Sequence, residues 1–527
     1  MGELSPTEQK LTRAGTASAR LPSEAASRLQ VVHGYVVAPG LVKPAGQWTL
    51  AAVAAVLAAS VAFLVPAFLN GFPFLYPDSG DYLVLTPQIY RSPFYSFFLL
   101  LAHMDRFIWN AVLVQALMLS WLLFVLCKLH SSKPITTFLV LVAVLVPFSS
   151  AAYFASFIMA DIMTPLMFLA MYIVAFRWSE LSRFDRVCVF LFTCLATCSH
   201  IAHISMGIGI AALSGVLLVL IGKTWREVRR RLGLLLVPIV LSATALLLNN
   251  AIIHKSFSLY PAGNSLLMAN LIEAGPGRHY IQSVCPDAGY KICQIADRLP
   301  RTANQLLWGG SYSELGGFRR MEKEAGEIVW GTIRAAPQDV LAMVARDFVA
   351  ALQTHRPAQE FIPWTAEVPS MTALIEKRFG REARDAYLAS AQSRGRVPRQ
   401  LIGAVDEVAF PLSLLFFFAV SLLALGRQMV GAACLSIVVA SGYVGNALLT
   451  SAASGVFDRY QARVSWLFLA VAVLLCARLS ESVTRDQPLF QWAFAGMRPR
   501  ARLQEARATF RTRSEKQGNF PPPDRTL

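Results

Sequence analysis

Asp78 and Asp81 stand three residues apart in the segment YPDSGDY (residues 76–82), framed by Pro77 and Gly80, flanked by Tyr76 and Tyr82, and followed by Arg91. A carboxylate pair of this kind can take a proton from a nucleophile, hold a divalent cation or bind a cationic group. Burying it without one of those partners is costly. The structural alternative is that Asp78 caps a turn and Asp81 caps the next helix. Other residue types suited to chemistry lie far away in the chain: Asp161, His200, His203, and Arg459, Tyr460 and Arg463 near the end. Acids suit general-base or divalent-cation roles, and arginines suit an anionic phosphate. The histidines and Tyr82 and Tyr460 are candidate acceptor or metal contacts. Each has a plain reading alone, as a helix cap, an interface histidine or an anchor. They amount to a site only if the fold brings them to one place.

Composition says which elements must do so. Of 527 residues, 55% are hydrophobic and 15% charged, and the mean hydropathy is positive. This predicts an all-α polytopic membrane protein. The net charge of +16 sits in the tails and short loops, where it signals topology, and no nucleic-acid motif accompanies it. The bilayer is therefore an expected partner and nucleic acid is not. The acid pair directly follows residues 50–69, an apolar run of membrane-span length.

Apolar runs and basic loops together predict about ten transmembrane helices with both termini cytoplasmic. The strongest topology signal is Lys223–Arg231, five cations against one anion. The expected organisation is a cytoplasmic tail (1–47), a transmembrane module (48–253) with its first outer loop at 70–92, a mainly α extracytoplasmic domain (254–404), a C-terminal transmembrane module (405–478) and a basic cytoplasmic tail (479–527). The inserted domain thus precedes the last three spans, and apolar spacing within it predicts helices over 321–335, 337–353 and 371–391. Cys285 and Cys293 alone among eight cysteines have a polar setting. A local disulfide is expected there if the compartment is oxidising, two buried thiols being the alternative. On this topology every candidate residue faces the same compartment, the periplasm if the membrane is a bacterial inner membrane.

The paired acids after the first span, the later aspartate at an outer boundary, the outer insertion before the final spans and the closing DRYQAR (residues 458–463) resemble the polytopic C-type (GT-C) glycosyltransferases. The likeness is to the polyprenyl-phosphate-sugar-dependent mannosyl-, arabinosyl- and aminoarabinosyl-transferases. The segment IRAAP (residues 333–337) also resembles a recurring stretch of that superfamily. The family's first-loop acids are usually adjacent or once-spaced, whereas here two residues separate them.

The resemblance implies inverting transfer of a sugar from a lipid-linked phosphate donor to an envelope acceptor. Asp78 would then be the first choice of base, with Asp81 the alternate base or metal ligand and Asp161 a supporting acid. Arg459 and Arg463, with Arg91, would neutralise the departing phosphate. Many family members use a divalent metal, Mg²⁺ or Mn²⁺, and some do not. The competing classes are a multispan transporter or flippase, which would call for mid-membrane ionisable or broken segments, and a non-catalytic envelope assembly protein.

Overall fold

The computed structural model describes residues 48–365 and 368–483, together with a short antiparallel hairpin of β1 (Gln30–Val32) and β2 (Tyr35–Val37). Apart from that hairpin and residues up to Val483, the two predicted tails lie outside the described residues. The protein is an all-α integral membrane protein. Among the described residues, eight helices are long and apolar enough to cross a membrane. In lipid this is the required solution, because a helix satisfies its own backbone polar groups.

The first helix is α1 (Leu50–Asn70), which Thr49 caps by accepting from Ala52 N at 3.2 Å and which ends at Gly71 with φ +80°. The acid pair then sits on a helix of its own, α2 (Pro77–Leu83), ahead of α3 (Phe94–His103) and α4 (Trp109–His130). Next come α5 (Pro134–Phe148), α6 (Ala160–Glu180), α7 (Arg183–Cys198), α8 (Ala202–Leu220) and α9 (Trp225–Ile253). The other two of the ten expected spans, α5 and α7, fall below that membrane-crossing length. Ser149 leaves helical geometry just after Pro147, which stops α5, and α7 spends its first turn on Arg183, Asp185 and Arg186.

The predicted inserted domain is built in two parts that share packing. Its first part, from α10 (Gly263–Ala274) through α11 (Gly317–Ala335), forms a core around Met268, Ile281, Ile292, Leu306, Met321 and Ile328, to which Met343 also belongs. Bonded Cys285 and Cys293, with Cα atoms 5.4 Å apart, lie at its edge. The second part begins with α12 (Pro337–Gln353), whose Leu352 carbonyl accepts from Tyr443 Oη at 2.9 Å. The single helix expected over 371–391 is two, α13 (Pro369–Phe379) and α14 (Arg381–Ala389), broken at Gly380 with φ +89°. Three long helices follow: α15 (Arg399–Gly426), α16 (Val430–Ala453) and α17 (Asp458–Val483).

The chain divides into two units at Leu475, and beyond it only the last turns of α17 are described. Within the first unit the most apolar faces point outward: Leu412, Leu415 and Leu422 of α15 are 59–68% exposed. Such a face suits hydrocarbon and would be an aggregation surface in water. The middle helix is the opposite case. From Ala160 to Ala175 α6 is buried all round, so Asp161 at its first turn is carried into the centre of the bundle.

Candidate active site

Backbone pairing carries α2 to the start of α6. Phe74 N donates to the Ser156 carbonyl at 2.9 Å and Ile158 N to the Phe74 carbonyl at 3.1 Å, a single parallel bridge. Ser79 locks the next turn: its hydroxyl donates to the Ile158 carbonyl at 2.8 Å and accepts from Tyr76 N at 3.0 Å. From the other side, Gln392 holds both polar groups of Leu75, accepting from N at 3.0 Å and donating to O at 2.7 Å. α17 is seated by Ser150, whose hydroxyl donates to the Ala462 carbonyl. Asp458 accepts from Arg356 N at 2.9 Å and ties the start of α17 to the chain after α12. None of these anchors uses the charged groups they position.

Six of the predicted residues converge in one alternating chain. Arg91 Nε lies 2.6 Å from Asp81 Oδ2, and its Nη2 pairs with Asp78 Oδ1. The other Asp78 oxygen is 3.3 Å from Arg459 Nη1. Arg463 Nη1 is 3.2 Å from Asp161 Oδ1, and Arg459 Nε stands 3.9 Å from the same oxygen. Three carboxylates thus alternate with three guanidiniums over residues nearly 400 positions apart. Side-chain exposure falls from 27% at Asp81 through 19% at Asp78 and 9% at Arg459 to 2% at Arg463. The chain therefore has a rim, at Asp81, and a closed end.

Burial costs these ions less because every charge has an opposite neighbour. Burial alone would push Asp78 up, but Arg91 and Arg459 outweigh it and hold the carboxyl below the usual range. With Arg91 as its one guanidinium, Asp81 does not escape: burial pushes it up despite that partner. The Nε atoms of Arg459 and Arg463 are buried and meet no hydrogen-bond partner. Unmet guanidinium donors inside a protein are expensive, and these two are aimed from one face of α17, four residues apart. An anionic ligand would satisfy them.

The aromatic and imidazole candidates have different fates. Tyr460 lies beside both arginines, each guanidinium carbon 5.3 Å from its ring centroid. Tyr82 is a buried wall, packed edge-on to Tyr95 at 4.8 Å, and burial pushes its phenol up to about 12. His200 borders the site: burial, His203 and then Arg463, Arg91 and Arg459 all push its imidazole down. His203 corrects the expectation. Its Nε2 pairs with Thr164 Oγ1 at 2.8 Å and its Nδ1 with the Ala196 carbonyl at 2.6 Å, leaving no nitrogen for a metal or an acceptor. A divalent ion does not fit this donor set as arranged, because bringing two of the carboxylates together means displacing the guanidinium between them. Among the described residues no three His, Cys, Asp or Glu side chains form a metal-holding group.

No protein-family model, curated protein or solved structure matches this chain.

Sequence reasoning missed three members of the site. Tyr76, in the opening motif, lies under Arg459 with its ring centroid 4.2 Å from the guanidinium carbon. Asn446 accepts from Arg463 Nη2 at 2.7 Å, and a lone Asn inside an apolar span is a signal that was available. Glu360 brings a fourth carboxyl: burial pushes it up, and Arg459 is its largest electrostatic partner. Nothing in a loop of mixed composition distinguishes that glutamate. A cleft of about 410 Å³ lies between Val65 and Leu69 of α1, Pro147 of α5, and Leu401 and Val405 of α15. Leu69 and Leu401 are 81% and 65% exposed, so its walls reach the lipid-facing surface. Phe74 lines it and stacks on Phe361 at 4.0 Å, at the foot of α2.

Proposed function

We propose that this protein is an integral membrane glycosyltransferase of the C type. It moves a sugar from a polyprenyl-phosphate donor to an envelope lipid, glycan or protein acceptor at the outer face of the membrane, for which a bacterial inner membrane is the fitting case. The observation that carries the reading is the Asp81–Arg91–Asp78–Arg459–Asp161–Arg463 chain, with an unmet Nε on each of its two inner arginines. Paired carboxylates supply a proton acceptor, and arginines with spare donors supply a phosphate receptor. The apolar cleft beside α2 has the chemistry for a lipid chain.

In the reaction the acceptor hydroxyl oxygen attacks the anomeric carbon as the carbon–oxygen bond to phosphate breaks. The electron pair leaves on the phosphate, which Arg459 and Arg463 stabilise, and the hydroxyl proton passes to a carboxylate. Attack opposite the leaving group inverts the anomeric centre. Asp78 is the base on this reading. Its Oδ2 is held by Arg459 only until a donor phosphate draws that guanidinium away, so donor binding would both free the base and raise its proton affinity. Asp81 is the second reading, favoured by its raised pKa and its place at the exposed end.

The test is transfer from radiolabelled polyprenyl-phosphate sugars by the purified protein, beside complementation of a deletion strain scored by envelope glycan profile. Asp78→Asn should fold and reach the membrane yet lose activity by about 10²-fold or more. Full activity in Asp78→Asn, Asp81→Asn and Asp161→Asn alike would remove the carboxylate-dependent reading and leave a transporter or an assembly protein.

A further inference from the structure

A second cavity, this one polar and of about 310 Å³, opens at the other end of the bundle. Asp161 and Arg177 both belong to α6, sixteen positions apart, so at ~1.5 Å per residue the two sites are separated by roughly 24 Å along the helix. Arg177, Ser179 and Glu180 at the end of α6 form one wall, and Lys223, Glu227 and Arg231 around the start of α9 form the other.

The charges in this cavity do not cancel. Arg177 pairs with Glu180 at 2.7 Å and Lys223 with Glu227 at 3.9 Å, which leaves Arg231, among the described residues of this cavity, as the cation with no carboxylate in ion-pair contact. Arg231 is only 7% exposed. Its Nη2 donates to Ser179 Oγ at 3.2 Å, while its Nη1 and the Nε of Arg177 meet no hydrogen-bond partner. A buried guanidinium outside any ion pair, with unmet donors beside a polar cavity, is a receptor for an anion. Forked guanidinium donors match phosphate oxygens best. The turn beside the cavity carries Trp225, 63% exposed, and exposed Arg226, Arg229 and Arg230. Aromatic and basic residues together mark the headgroup level of a bilayer and draw anionic lipid to it.

We infer that this cavity is a phosphate-group site, held by Arg231 with Arg177 and filled by the headgroup of an anionic phospholipid. It is independent of the transfer chemistry, and its test uses no transfer assay. Full-length protein in neutral detergent is titrated with phosphatidylglycerol, with phosphatidylcholine and with sodium phosphate, and retained lipid is read by native mass spectrometry beside the thermal midpoint. Phosphatidylglycerol should bind saturably, and Arg231→Gln should weaken it by about tenfold. Arg177→Lys, which keeps the charge and loses the fork, should weaken it less, and Glu227→Gln, which removes a wall carboxylate, should retain or strengthen it. Arg226→Gln, on the exposed face, should change little. Sodium phosphate that displaces the lipid would make the free ion the occupant of the same site, and phosphate without effect assigns it to the lipid. Should Arg231→Gln fail to fold, the opposite responses of Arg177→Lys and Glu227→Gln still decide. Equal phosphatidylglycerol affinity in wild type, Arg231→Gln and Arg177→Lys, or a loss in Arg226→Gln as large as in Arg231→Gln, overturns the inference.

Discussion

Asp78 and Asp81 are chemically identical side chains three residues apart, and their surroundings drive them in opposite directions. Asp78 has a guanidinium on each oxygen and is held low; Asp81 has one and is pushed up by burial. The pH dependence of stability follows. A carboxyl held below its unfolded value, near ~4, stabilises the fold above that pH. That contribution disappears as the pH falls through the folded value. Asp81 acts the other way: its neutral form suits the fold, so ionising it as the pH rises through the folded value removes stability. Asp78→Asn should therefore lower the thermal midpoint at neutral pH, and the gap to wild type should close on acidification below about pH 4. Asp81→Asn should leave the neutral-pH midpoint unchanged or raise it. Unfolding scans of detergent-solubilised protein across that range measure both, and a gap that widens in acid would contradict the Asp78 assignment. Arg463 sits at the closed end, paired with Asp161 and Asn446. Replacing it by Met leaves the buried Asp161 carboxylate only the longer 3.9 Å contact with Arg459, so a loss of about 3 kcal/mol is expected. Arg459→Lys keeps a charge near Asp78 but gives up the fork. It should fold while raising the KM for donor, a split that a purely structural arginine would not produce.

At the scale of elements, the site depends on three connections that no charged residue makes: the Phe74–Phe157 bridge, the Gln392 clasp on Leu75, and the packing of α6 against α16. The last is tight. A methyl group at Gly442 would stand 2.6 Å from the Phe168 ring, so α16 cannot accept a larger residue there without moving off α6. Small residues serve this purpose at helix contacts in membranes. Gly442→Ala should cost about 1–3 kcal/mol and reduce activity as well, because α16 carries Asn446 and α6 carries Asp161. Thermal stability and transfer rate measured together test it; unchanged activity despite a lowered midpoint would mean that Asn446 does not position Arg463. The helices themselves were legible, since apolar length and basic loops suffice to find them. So were the acids and arginines of the site, because few ionisable residues are tolerated at such boundaries and each one stands out. The uncharged clasps were not. Gln392 looks like any loop glutamine, and its two bonds to Leu75 depend on a chain return of more than 300 residues that no local pattern encodes. Gly380 is the smaller case: apolar spacing runs straight through it, yet its positive φ breaks the helix.

At the scale of the whole molecule, the two ends of the bundle differ in kind. One collects α2, the chain that follows α12, and the start of α17 around the alternating acid–arginine chain. The other collects Trp48, Lys128 and Asp185, where the carboxylate accepts from the indole at 3.0 Å and from the ammonium at 2.8 Å, together with the basic turn at Arg229–Arg231. We propose, on the positive-inside rule, that the basic end faces the cytoplasm. That orientation makes a joint prediction about thiols. If the Asp78 end faces an oxidising compartment, the Cys285–Cys293 bond survives purification without reductant, and closing so short a loop contributes roughly 2–3 kcal/mol in the chain-entropy model. Alkylation followed by mass spectrometry should then find the pair unlabelled, and Cys285→Ser should release one alkylatable thiol and lower the thermal midpoint. Sidedness is read separately in intact cells. With native cysteines replaced by serine, a cysteine introduced at Gln88 should react with a membrane-impermeant maleimide added outside, whereas one at Lys223 should react only after the membrane is opened. The two measurements constrain each other, because a bridge that forms beside a cytoplasm-facing Gln88 would have to form in a reducing compartment. Labelling at Lys223 alone in intact cells would invert the topology, placing the arginine-held carboxylates on the side where a lipid-linked sugar at the outer face cannot reach them.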